Sequence, residues 1–148
     1  MIQIPKVEVT LKVIRQDDYI PTIVQSPEQM AASIRVLFNA ETFDWTEEML
    51  LICLNNRNEV LHYCLISTGG MCGTVCDIRK IMLIVLQSAA TGIILSHNHP
   101  SGNLKPSRQD MQLTGQIYEA AKYHEIKLID HIIFSYDSYL SMKDEGLI

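Results

Sequence analysis

Ile93-Ile94-Leu95-Ser96-His97-Asn98-His99-Pro100-Ser101-Gly102 runs from three consecutive apolar residues into two histidines one residue apart, and Pro106-Ser107-Arg108-Gln109-Asp110 follows closely. Gly92 breaks the preceding pattern, so the triplet reads as a short strand, and an uninterrupted apolar run is what a central strand covered on both faces requires. Pro100 and Gly102 end that strand abruptly, so the segment through Pro106 must be loop. Ser107 then opens a helix whose apolar face is Leu113, Ile117, Ala120 and Ala121.

Outward from this segment, strands and helices alternate. Lys127 to Phe134 reads as a last long strand, and on the N-terminal side Asp77 caps a helix carrying Ile78, Ile81, Met82, Val85 and Ala89. Met49 to Leu54 and Val60 to Ile66 are apolar runs of strand length around the turn formers Asn55-Asn56-Arg57-Asn58, which predicts a hairpin. Ser26-Pro27-Glu28-Gln29 has capping-box spacing with Pro at the first helical position, and Met30, Ile34, Leu37 and Phe38 supply the apolar face of a helix expected to end near Asn39. Val7, Val9, Leu11 and Val13 alternate with Glu8, Thr10 and Lys12, the period of a half-buried strand. Without repeats or a long linker, residues 1–148 are expected to form one domain of the α/β or α+β class, a mixed central sheet flanked by helices.

Histidines at i and i+2 on an extended segment project from the same face, so His97 and His99 can reach one metal ion. Asp110 joins them if its helix folds back over the strand end. Two imidazoles and a carboxylate leave one position of a tetrahedral zinc open, as in catalytic rather than structural sites. Histidines at a strand end also serve as ordinary hydrogen-bonding groups, and Ser107 with Asp110 has the spacing of a helix N-cap followed by a first-turn acid. Asp130-His131 is read two ways, as a pair that orients the site or as a structural hydrogen-bonded pair. His62 is expected on the hairpin surface.

Other chemistries fit worse. His124-Glu125 lacks the second histidine of a His-Glu-x-x-His helix, no base-deaminase signature follows a His-x-Glu, and Gly69-Gly70 and Gly73 are misplaced for a nucleotide-binding loop. Cys72 and Cys76 are too far apart for a Cys-x-x-Cys knuckle, so these two, Cys53 and Cys64 are expected to be free thiols.

The 148 residues are 47% apolar and 20% charged, the balance of a globular domain rather than a disordered tail. A net charge of -5 lacks the electrostatic footprint of a protein that holds duplex DNA through many phosphates. The longest apolar run, Ile81 to Leu86, is far short of the ~18 residues that span a bilayer, and the N-terminus shows no secretory pattern. A cytoplasmic protein with no membrane partner is therefore expected.

The motif His97-x-His99, seven residues, Ser107, two residues, Asp110 resembles the JAMM motif of the MPN family of zinc metalloproteases and matches it at every specified position. The wording His97-Asn98-His99-Pro100-Ser101-Gly102, then Pro106-Ser107, Asp110 and Asp130-His131, is similar to the RadC branch of that family, from about Glu47 to the C-terminus. The resemblance implies a cytidine-deaminase-like α/β core over residues 47–148, with residues 1–46 as an N-terminal strand and helix extension. It also implies Zn2+ held by His97, His99 and Asp110, Ser107 as a helper at the oxyanion, and an upstream glutamate as general base. Counting back from Asn55, where the family's strand usually ends, selects Glu47 over Glu48, and adjacent strand residues face opposite ways, so only one of the two can see the metal.

Two departures from the family pattern stand out. The Gly-rich hairpins of a helix-hairpin-helix DNA-binding domain are absent from residues 1–46, so a short stand-alone version is expected, and Ile78 precedes Arg79 where the family usually has proline. The implied activity is hydrolysis of an amide in a protein or peptide that the sequence does not identify. The rival reading is a DNA-repair or mobile-element accessory protein with a structural or nuclease metal, against which stand the acidic balance and the single three-ligand site. Oligomeric state stays open, with the apolar N-terminal strand free to pair with a neighbour.

Overall fold

The computed structural model describes residues 26–69 and 76–148, together with residues 6, 8, 10 and 12–14. The strand expected through Val7, Val9 and Leu11 lies outside the described residues, as does Cys72. The elements are α1 (Pro27–Arg35), β1 (Glu48–Leu54), β2 (Val60–Thr68), α2 (Ile78–Gln87), β3 (Gly92–Asn98), α3 (Arg108–Tyr123), β4 (Lys127–Phe134) and β5 (Tyr139–Ser141). They form one mixed sheet in the order β2-β1-β3-β4-β5. Only the β3–β4 pair is parallel, with α3 as its crossover, and the other pairs are antiparallel.

Every residue of β1 and β3 is buried, as a central strand with two covered faces demands. Met49, Leu51 and Cys53 share one face with Ile93 and Leu95 and pack on Ile81 and Val85 of α2 and Ile117 and Ala121 of α3. Leu50, Ile52, Leu54 and Ile94 face the other way, onto Met30, Ala31 and Ile34 of α1. Phe38 closes that second core, its ring edge-on to Phe43 and Phe134 with centroids 5.6 Å apart in both pairs. Helix α1, placed by the sequence in an extension, thus forms one of the two layers. Because Leu51 has no exposed surface, Leu51→Ala should cost about 2–5 kcal/mol of unfolding free energy in urea titration. A loss below about 1 kcal/mol would show that this core relaxes around the cavity.

Local signals act largely as expected. Ser26 Oγ accepts the Gln29 N–H at 3.2 Å with Pro27 at the first position of α1, and Asp77 accepts the Arg79 N–H at 2.9 Å despite Ile78 standing between them.

Four expectations are corrected. Helix α1 stops at Arg35 rather than near Asn39, because the Leu37 N–H turns back to the Ile34 carbonyl and the Asn39 N–H is taken by the Glu48 carboxylate at 3.2 Å. Helix α2 ends at Gln87, and Ala89, expected on its apolar face, lies beyond that end in the left-handed region at φ 52. Lys127–Phe134 is not the last strand: the Ser135 turn returns the chain so that Tyr139–Ser141 pairs with Ile132–Phe134, a segment too short to show a period. His62 is half-buried rather than on the surface, because its register opposite Cys53 turns it towards the α2 side, where Nε2 has no partner among the described residues and burial pushes the imidazole pKa down. Cys53, Cys64 and Cys76 are free thiols, and burial raises Cys53 and Cys76 to about 11.

Candidate metal centre

The site forms where β3 runs out between β1 and α3. Leu95 faces the α2 and α3 layer, so His97 faces it too, and the Met49–His97 register brings the opening of β1 alongside. His99 lies one residue beyond β3, but its N–H still bonds the Phe134 carbonyl at 2.8 Å, which prolongs the extended backbone and keeps both imidazoles on one side. Their Nε2 atoms stand 2.9 Å apart.

Asp110 reaches this point through the geometry of a helix start. Ser107 Oγ accepts the Asp110 N–H at 3.1 Å and Asp110 Oδ2 accepts the Ser107 N–H at 2.6 Å, a complete capping box. The same carboxylate comes within 3.3 Å of His97 Nε2 and 3.5 Å of His99 Nε2. The two readings of Asp110, cap and ligand, are therefore compatible. For Ser107, an exposed residue, the cap uses the hydroxyl oxygen as acceptor, and the same hydroxyl also favours the ionised Asp110 carboxylate.

The donor set fits a small tetrahedral cation. His97, His99 and Asp110 each offer an atom within 4.8 Å of the others. Ligand atoms around a tetrahedral zinc with bonds of about 2.0–2.1 Å stand roughly 3.3 Å apart, the range of the 2.9, 3.3 and 3.5 Å separations here. His99 Nδ1 bonds the Asn103 carbonyl, which can only accept, so Nδ1 carries a hydrogen and Nε2 is the atom left to face the shared space, where it hydrogen-bonds the Asp110 carboxylate without a metal and can ligate once that proton leaves.

Burial, then the neighbouring His131, pushes the His97 pKa well below its ordinary value. His99 is raised, mainly by its hydrogen bond with Asp110, with burial opposing and the Glu47 charge adding to the effect. Burial also disfavours the Asp110 carboxylate, but His99, His97 and Ser107 outweigh it and hold the acid well below the usual range. A neutral imidazole beside a firmly ionised carboxylate is the state in which both can ligate.

The residue between the histidines faces the opposite way. Asn98 is fully buried, donates to the Phe43 and Thr46 carbonyls at 2.7 and 2.8 Å, and accepts the Glu48 N–H at 2.8 Å. These bonds pin the opening of β1 and separate the two glutamates. The Glu48 carboxylate turns to the α1 side and accepts the Asn39 N–H at 3.2 Å. Glu47, two residues before Met49 and held through its carbonyl to the Gly69 N–H at 2.8 Å, is near enough to His99 for its charge to help raise that imidazole's pKa.

Asp130 and His131 divide their work. Asp130 accepts from its neighbour's N–H, from Lys143 N–H and from Ser141 Oγ, at 2.7, 3.1 and 2.6 Å, and so anchors β5 and the C-terminal turn. His131 is fully buried on the other face, with Nε2 2.8 Å from His97 Nδ1 and Nδ1 2.6 Å from Thr114 Oγ1. Thr114 and Asn98 were missed as site residues by the sequence reading. A polar residue one turn after Asp110 on the buried stripe Asp110, Thr114, Ile117, Ala121 is the signal that could have found Thr114.

Among the described residues, no helix is long and apolar enough to cross a membrane. The RadC-like JAB domain family matches residues 24–147. A UPF0758 protein of Flavobacterium johnsoniae is 43% identical over 101 residues, covering 68% of this chain and 44% of the relative. One of Clostridium acetobutylicum is 38% identical over 102 residues, 69% and 44% of the two chains, and one of Methanosarcina barkeri 33% identical over 102 residues, again 69% and 44%. The matched part spans less than half the length of these relatives. With the histidine pair, the capping aspartate and the five-stranded mixed sheet all in place, the chain belongs to the RadC-like JAB domain family.

Proposed function

We propose that this chain is a zinc-dependent hydrolase of the JAMM type that cleaves an amide bond in a protein or peptide. The observation that supports it best is the convergence of His97 Nε2, His99 Nε2 and the Asp110 carboxylate at one point, with Glu47 near enough for its charge to act on His99. When bound, zinc supplies a Lewis acid that makes water more acidic and a carbonyl more electrophilic. Glu47 serves as general base and then returns the proton to the leaving amine. Ser107, whose oxygen is engaged in the cap, turns its hydroxyl hydrogen from the Asp110 carboxylate to the oxyanion that develops on the carbonyl. Asp110 closes the site from the helix side, so cap and ligand set form together.

Cleavage of a peptide library by the zinc-loaded chain, read by mass spectrometry, tests the reaction. Products that vanish with a chelator and return with zinc are expected, and intact peptides throughout would defeat the hydrolase reading. A second measurement addresses nucleic acid. The net charge of -5 predicts weak duplex binding that disappears by physiological salt, and nanomolar affinity persisting at that salt would favour the accessory-protein reading instead.

A further inference from the structure

We infer that Thr114 and His131 are positioning residues in a one-directional chain of hydrogen bonds that runs from His97 to the Asp110 backbone carbonyl and holds His97 with its Nε2 lone pair turned to His99 and Asp110 before any metal binds. This rests on the reading of the centre as a metal site.

The direction follows from proton counting. Thr114 has one hydroxyl hydrogen and two neighbours at 2.6 Å, the Asp110 backbone carbonyl and His131 Nδ1, with Met142 Sδ, a weak acceptor, farther off at 3.8 Å. A carbonyl only accepts. If the hydrogen went to His131, two oxygens would face each other at 2.6 Å with no proton between them. The hydrogen therefore goes to Asp110, and His131 Nδ1 must carry its own hydrogen and donate to Thr114. In a neutral ring that leaves Nε2 of His131 as an acceptor. His97 Nδ1, 2.8 Å away, must then be the donor, and His97 Nε2 keeps its lone pair.

The reverse direction would protonate His97 Nε2 and block it as a ligand. Bulk water does not reach any member, because Thr114 is 1% exposed and His131 and His97 are not exposed at all. The chain of bonds also ties three elements together. It starts on α3 at Thr114, crosses β4 at His131 and β3 at His97, and is anchored on the backbone of Asp110, the residue whose side chain completes the ligand set. One threonine hydroxyl thus sets the tautomer of one ligand and the seat of another.

The test uses the full chain, metal-free after chelation and then titrated with zinc against a chromophoric chelator. In the metal-free chain near neutral pH, two-bond proton–nitrogen NMR correlations should show both His131 and His97 protonated on Nδ1. Thr114→Val, which keeps the shape and removes the hydroxyl, should lose that preference and weaken zinc binding by about 10- to 100-fold, with Thr114→Ser restoring both. His131→Phe should weaken zinc similarly, and if it does not fold the threonine pair decides alone. His131 protonated on Nε2 in the metal-free parent, or Thr114→Val binding zinc within about twofold of the parent while folded, would overturn the inference and leave the metal-site reading standing. A parent chain that takes up no zinc would remove both.

Discussion

Glu47→Gln is expected to keep the fold and the zinc while slowing hydrolysis by about 10²-fold or more, the scale of a lost proton transfer. The substitution removes the basicity and the charge of the side chain but keeps its length, and the backbone bond from Gly69 to the Glu47 carbonyl is untouched. Glu48→Gln should be nearly silent in the same assay. Its carboxylate serves the Asn39 N–H on the far side of β1, and an amide oxygen can accept that bond equally well. Measuring both variants for zinc content and for rate on one cleavable peptide separates chemistry from structure. A larger rate loss in Glu48→Gln than in Glu47→Gln would move the general base to the neighbouring residue. This prediction depends on Asn98, because its three buried bonds prevent a one-residue slip of β1 that would exchange the two faces.

Removal of a ligand should have the other large effect. The chain is expected to hold about one zinc, and His97→Ala, His99→Ala or Asp110→Ala should each reduce that to near zero by elemental analysis, since two remaining ligands leave the ion largely to solvent. The three should differ in stability. Asp110→Ala also removes the acceptor for the Ser107 N–H and with it about 1 kcal/mol of helix capping. Asp110→Asn supplies an acceptor again and should recover that stability without recovering the metal. His97→Ala leaves His131 Nε2 buried without its partner and should be the most destabilising. Metal content unchanged in all three variants would defeat the assignment of the ligands.

The elements themselves were legible because their causes are local. The capping serines and Asp77, the turn formers around Asn56 and the apolar runs of β1 and β3 state helix starts, hairpin and buried strands within a few residues of sequence. The motif likewise places His97 and His99 two residues apart on extended backbone and Asp110 in a first helical turn, so their meeting requires only that α3 fold back on β3. Where the reading failed, a distant partner had won. Asn39 is drawn out of α1 by Glu48, and β5 exists because Ile132 to Phe134 offer it an edge.

The sequence by itself therefore determined the order and type of the elements, the buried strands and the three residues able to ligate, since periodicity, capping and spacing are properties of neighbours along the chain. Tertiary structure alone decided that the Glu48 carboxylate is taken by the Asn39 N–H, that Asp130 and His131 part to opposite faces, and that Thr114 joins His131 to the Asp110 backbone. Those facts depend on strand register and on the approach of α3 to β4, set by the packing of side chains far apart in sequence. A hydrogen-bond chain through residues 97, 131, 114 and 110 has no local signature, because each of its members is, taken singly, an ordinary polar residue on a strand or a helix.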